Sequence, residues 1–149
     1  DHLIGIESKF SEWLTPKTKS SVPFQPKYFP EDVQLWADVG LPDSQKLAEA
    51  IGRGEENFRY LNAPQLLKHA LGMATSLGSD FSLYYIFYDW PCEESETHHE
   101  EVTRFADLVG EEVRFKLLTY QEMYDDIYYG GGNSTREVCP LFQARKEDA

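Results

Sequence analysis

Residues 81–90 read Phe-Ser-Leu-Tyr-Tyr-Ile-Phe-Tyr-Asp-Trp, apolar or aromatic at almost every position. So short a run, rich in aromatic side chains and stopped by Pro91, predicts a strand covered on both faces. Such a strand belongs in the middle of an α/β sheet. The next segments fit that placement. A polar-then-apolar helix is predicted from about Glu93 to Leu108, packing Val102, Phe105, Ala106 and Val109, with Gly110 ending it. Val113-Arg114-Phe115-Lys116-Leu117 then alternates like a strand with one wet face. Strand, helix, strand over 81–118 is a βαβ unit, expected to cross over into a parallel pair.

Upstream, Leu3–Lys9 predicts a short strand. Residues 15–30 hold Pro16, Pro23, Pro26 and Pro30, which keep the segment extended and irregular. Short helices are expected from Pro30 to Val39, closed by Gly40, and from Asp43 or Ser44 to Ile51. A longer helix follows, capped by Asn62, with Pro64 in its first turn and Leu66, Leu67, Ala70, Leu71, Ala74 and Leu77 at helical spacing. Residues 120–129 predict a last helix, and its tyrosines Tyr120, Tyr124 and Tyr128 suggest a packed face. Gly130-Gly131-Gly132-Asn133 should end it as a flexible terminator rather than a phosphate loop, because it follows a helix and offers no lysine. The 149 residues then make one domain, with an irregular insertion at about 15–60 and a weakly ordered tail from about 130.

The chain carries 14 Lys+Arg and 26 Asp+Glu, a net charge of −12. That excludes a module that coats nucleic acid by bulk attraction. The acidity is uneven. Residues 89–112 hold nine acids and one base, whereas residues 1–28 hold four lysines and three acids. Nucleic acid would meet Lys17, Lys19 and Lys27 and avoid the acidic helix. Two cysteines, Cys92 and Cys139, cannot form a disulfide framework, which suits a cytoplasmic protein. No stretch approaches the roughly 20 apolar residues of a membrane span.

Glu7-Ser8-Lys9 carries the first chemical possibility. On a strand, positions i and i+2 share a face, so a carboxylate and an ammonium stand side by side. The carboxylate can hold a hard divalent cation, and the lysine can stabilise developing negative charge. A surface ion pair is the plain alternative. Cys92, His98 and His99 lack the paired spacing of a zinc site, and the two histidines diverge by about 100° on a helix. They are expected to be exposed polar residues.

The run Gly5-Ile6-Glu7-Ser8-Lys9-Phe10-Ser11-Glu12 resembles the (D/E)xK element of the PD-(D/E)xK nuclease superfamily. In that superfamily the element closes a core strand, and a later helix often supplies a Gln or Lys. Gln65-Leu66-Leu67-Lys68-His69 occupies the first turns of the long helix here, and the aromatic strand follows in the expected order. The resemblance covers residues 3 to about 118, apart from the insertion. It implies a restriction-endonuclease-like core with a mixed central sheet flanked by helices. It also implies a nuclease using Mg²⁺ or Mn²⁺ on DNA, with Glu7 as metal carboxylate, Lys9 as catalytic lysine and Gln65 as accessory group. The family's other metal-binding Asp stands on the preceding strand. Asp1 is the only upstream acid, five residues separate it from Glu7, and that is short for two strands and a turn. Asp1 is then more a hairpin residue than a ligand, and a front end of the core is expected upstream. Glu12 is a further carboxylate, expected on the other face. The alternative is an inactive nuclease-fold module whose acidic helix binds a protein partner, or a different small α/β domain.

Overall fold

The aromatic run sits at the centre of the sheet. In the computed structural model, which describes residues 2–18, 22–78 and 80–129, strand β2 (Phe81–Phe87) lies between β1 (Leu3–Lys9) and β3 (Phe115–Thr119). Both pairings are parallel, with Leu3 opposite Phe81, Lys9 opposite Phe87, and Leu83 opposite Phe115. The sheet is therefore parallel throughout the described residues, where a mixed sheet was expected. Parallel neighbours need crossovers, and the helices supply them. Three helices, α1 (Leu35–Asp38), α2 (Pro42–Arg53) and α3 (Ala63–Leu77), join β1 to β2. Helix α4 (Glu93–Val109) joins β2 to β3, and α5 (Tyr120–Tyr128) follows β3.

Phe81, Leu83, Tyr85 and Phe87 point to one face, where they are buried with Leu66, Leu67 and Ala70 of α3 and Val102 and Phe105 of α4. The insertion contributes to this core. Phe24, Trp36, Leu41, Leu47 and Ala48 are buried in it, together with Trp13 just ahead of the insertion. The indole N–H groups of Trp13 and Trp36 donate to the carbonyls of Tyr88 and Tyr28, which is what lets such large rings be buried.

Several boundaries moved for physical reasons. Strand β2 stops at Phe87 rather than Trp90, because the Asp89 backbone turns to bond the Gln121 side chain through both its N–H and its carbonyl. Strand β3 starts at Phe115, two residues later than expected. Val113 is fully buried and Arg114 takes a left-handed φ of 47°, so the chain turns there before pairing. Helix α2 is capped from outside: the Glu112 carboxylate accepts the N–H groups of Asp43 and Ser44. No residue of α5 is buried; Tyr124 and Tyr128 stack on each other at 4.3 Å while largely exposed. The packed tyrosine face is not seen. The glycine run, Cys139 and the tail lie outside the described residues.

The acidic helix also departs from its expected solvated form. Glu101 is buried and accepts the backbone N–H groups of Arg59, Tyr60 and Leu61. Removing it strands three donors, each costing about 1–3 kcal/mol when buried. His98 is fully buried, stacked on Trp13 at 4.3 Å, with Nε2 at 3.0 Å from the Tyr85 hydroxyl. It is a core residue, correcting the expectation that it is exposed. His99 diverges to Asp89, at 3.1 Å. Cys92 is a half-buried free thiol. Among the described residues, no helix is long and apolar enough to cross a membrane.

Burial, aided by His99 and Lys17 and partly opposed by the Asp89 carboxylate, pushes the His98 imidazole down to about 3. Unfolded, it titrates near about 6.5. The unfolded chain therefore binds more protons between these values. The stability His98 permits is complete above about pH 6.5 and is lost as pH falls towards 3, at up to about 1.4 kcal/mol per pH unit. Urea melts from pH 7 to 4.5 should show this slope, and His98→Phe should flatten it. An unchanged slope in the variant would refute the assignment.

Candidate functional site

The site grows from a register match between a strand and a helix. On β1, Gly5, Glu7 and Lys9 share the helix-facing side. On α3, Gln65, His69 and Met73 recur every four residues and also share a face. Four helical residues advance about 6 Å and two strand residues about 6.6 Å, so the two rows stay in step. Lys9 meets Gln65, Glu7 meets His69, and Gly5 meets Met73. The approach is close at Gly5: a Cβ there would make the end of the Met73 side chain swing aside.

The contacts are specific. Lys9 Nζ lies 2.7 Å from Glu7 Oε1 and donates to Gln65 Oε1 at 3.3 Å. His69 Nδ1 lies 2.9 Å from Glu7 Oε2. The Glu7 side chain is only 9% exposed, Lys9 17% and His69 46%. Glu7 is thus a buried carboxylate with a partner beside each oxygen, and His69 is the most exposed of the three side chains. Gln65 belongs to the start of α3 as well. Its N–H donates to Asn62 Oδ1, and its amide oxygen accepts from Asn62 Nδ2 at 3.1 Å. The helix cap and the site are one hydrogen-bonded network.

Opposite Glu7 on β2 stands Tyr85. Burial, with the charges of Glu7, Glu12 and Glu101 adding to it, raises its hydroxyl well above the usual tyrosine range. It stays neutral and adds no anion beside Glu7. Glu12 turns back to accept the N–H groups of Phe10 and Ser11; its own backbone N–H first, then those two, hold its carboxyl below the usual range. It closes the turn after β1 and is not part of the cluster.

Glu7, Lys9 and Gln65, singled out in the sequence, are therefore brought together. Asp1 and Lys19 lie outside the described residues. Lys17 is half-buried and donates to the Glu12 carbonyl; burial, then the neighbouring Lys9 charge, lowers it below the usual lysine range. Lys27 is exposed, over the Tyr28 ring at 5.2 Å. His69 was missed as a site residue. The signal was present in the i, i+4 spacing from Gln65, which matches the i, i+2 spacing from Lys9 to Glu7.

The donor set bears on whether a metal fits. Among the described residues, no group of three or more His, Cys, Asp or Glu side chains is placed to hold a metal ion. The Glu7 carboxylate and the His69 imidazole converge, and that pair can occupy one edge of a divalent cation's shell, water completing it. Comparison with protein-family models, with curated proteins and with solved structures finds no match for the chain.

Removing one partner of a nearly buried ion pair leaves the other charge uncompensated. Glu7→Gln and Lys9→Met should each destabilise the fold by roughly 2–4 kcal/mol in urea melts, and the double variant should lose less than their sum. Strict additivity would show that the two side chains act independently.

Proposed function

We propose that the chain is a divalent-metal-dependent nuclease of the PD-(D/E)xK type. One observation carries this reading. Three residues chosen from sequence alone, Glu7, Lys9 and Gln65, meet in one network beside an exposed edge, with Lys9 Nζ at 2.7 Å and 3.3 Å from the other two. In this reading Glu7 would hold the cation, which when bound would supply Lewis-acid activation of the phosphate and a more acidic attacking water. Lys9 offers its ammonium to the charge that builds on the phosphoryl oxygens. Gln65, fixed by Asn62, orients Lys9. The buried position of Glu7 keeps that charge interaction strong, because water screens it poorly there. DNA is the proposed substrate, approaching along Lys17 and Lys27, while the exposed acids of α4 repel it.

A second reading has its own support. Lys9 already neutralises Glu7, and no second carboxylate joins them among the described residues. A nuclease-like module without catalysis would keep such a pair for structure and would use the acids of α4, Glu93, Glu96 and Glu100 among them, to meet a basic protein surface.

One assay separates the two. The purified chain is incubated with single- and double-stranded DNA and RNA plus Mg²⁺ or Mn²⁺. Cleavage that falls at least 100-fold in Lys9→Ala and in Glu7→Gln, with circular dichroism unchanged, supports the nuclease. Absence of metal-dependent cleavage, or cleavage that survives Lys9→Ala, sinks it.

A further inference from the structure

Strand β1 is an edge of the sheet among the described residues. Its backbone divides cleanly. The N–H of Leu3 donates to the Asp80 carbonyl, and the Lys9 carbonyl accepts from the Tyr88 N–H. With Leu3 opposite Phe81 and Lys9 opposite Phe87, Leu3, Gly5, Glu7 and Lys9 turn their polar backbone groups to β2. Ile4, Ile6 and Ser8 turn theirs outward, where no described residue bonds them. The three side chains are exposed as well, Ile6 at 61% the most open of the β1 apolar residues. An edge with apolar side chains and unpaired backbone is a template for another strand.

The outward residues select which strand. Ile4, Ile6 and Ser8 are symmetric about Ile6, so an antiparallel copy of β1 related by a twofold axis meets Ile6 with Ile6, Ile4 with Ser8 and Ser8 with Ile4. All three are hydrogen-bonded pairs, in which the two residues exchange both N–H···O bonds. That register satisfies every outward donor and acceptor of the three residues at once. On the exposed face, Ile6 comes against Ile6 of the other copy. On the helix face, Glu7 falls opposite Gly5, which has no side chain to contest the space. Charge favours the same edge. Residues 1–28 hold four lysines and three acids, whereas residues 89–112 hold nine acids and one base. The second segment forms α4 and the turn that leads into β3. Two copies at −12 each therefore approach at β1 with the least repulsion, while pairing through the β3 edge would bring the acidic segments together.

We propose that the partner of β1 is a second copy of this chain, paired antiparallel about Ile6, so that two three-stranded sheets join into one continuous sheet. The pairing uses backbone that β2 does not use and leaves the contacts of Glu7, Lys9 and Gln65 in place. It stands or falls apart from the nuclease reading. A single strand pair is a small interface, so the dimer is weak and concentration-dependent.

Sedimentation velocity on the full chain, from about 1 to about 300 µM, should show monomer passing to dimer and no further, since a twofold interface closes on itself. Ile6→Lys, which sets two ammonium groups against each other at the axis, should weaken the dimer at least tenfold. Ile6→Pro removes a donor that points away from β2 and should weaken it as much. Circular dichroism and urea melts check the fold of both, and Ile6→Lys, at an exposed position, keeps the test decisive if proline unfolds the strand. Amide hydrogen exchange at the two ends of the range reads the register. The amides of Ile4, Ile6 and Ser8 should slow at least tenfold in the concentrated sample, while those of Gly5, Glu7 and Lys9 are protected in both. A chain that stays monomeric throughout, or that grows past a dimer, overturns the inference. So does a dimer that Ile6→Lys leaves within twofold, or one in which the three outward amides stay fast.

Discussion

The match in step between β1 and α3 is the constraint on which the arrangement depends. Gly5, Glu7 and Lys9 on the strand face Met73, His69 and Gln65 on the helix, pair by pair. This contact docks the helix onto the sheet, and it does so with a buried carboxylate in the middle. Burying that carboxylate is tolerable because each oxygen has a cationic or hydrogen-bonding partner, as a buried charge requires. The apolar residues on either side, Leu66, Leu67 and Ala70 from α3 and Leu83 and Tyr85 from β2, exclude water from the rest of the contact. Change the register of β1 by one residue and Ile6 and Ser8 would face α3, while Glu7 and Lys9 would turn to the open side.

That open side is the second consequence of the topology. With strand order β1-β2-β3, α3 and α4 both pack on the face carrying Phe81, Leu83, Tyr85 and Phe87. On the other face Ile4 and Ile6 are 49% and 61% exposed. Parallel sheets are ordinarily covered on both faces. The helix α5 reaches this side by the bond between the Tyr120 and Ser8 hydroxyls, yet it buries none of its own residues there. Among the described residues this face is thus exposed along β1, whereas Ser82 and Ile86 of β2 on the same face are buried.

Much of this was legible in the sequence, and the exceptions have a common cause. The aromatic run at 81–87 could only be a central strand. The Asn62 cap, Pro64 and the apolar period defined α3. The E-x-K spacing put Glu7 and Lys9 on one face. Failures came where a distant partner overrode the local pattern. Asp43 and Ser44 looked like caps, but Glu112 arrives from 68 and 69 positions away to cap α2. Glu101 and His98 looked solvated because their neighbours are acidic; three backbone N–H groups and the Trp13 ring hold them inside. The alternation at 113–117 was real, but Val113 spends its apolar side chain on the core before the strand begins. His69 escaped notice because its partner lies 62 positions earlier, and only the three-dimensional register relates the two.

The charge balance takes on a different meaning in this light. Counted along the chain, residues 89–112 look like a continuous anionic face. In the structure, Glu101 and Glu112 bind backbone N–H groups, and Asp89 is tied to Ser95 and His99. Burial alone would raise Asp89, but those two bonds outweigh it and hold its carboxyl below the usual range. These acids are structural and weaken the outward field less than their number suggests. The same economy constrains Glu7. In the proposed nuclease a metal ion would compete with Lys9 for that carboxylate, because two positive charges repel strongly where water screens them poorly. Gln65 accepts from Lys9 already, so the ammonium keeps a partner if Glu7 is engaged elsewhere. These are the contacts by which α3 meets β1, so the docking of the helix and the chemistry proposed for the site cannot be altered separately.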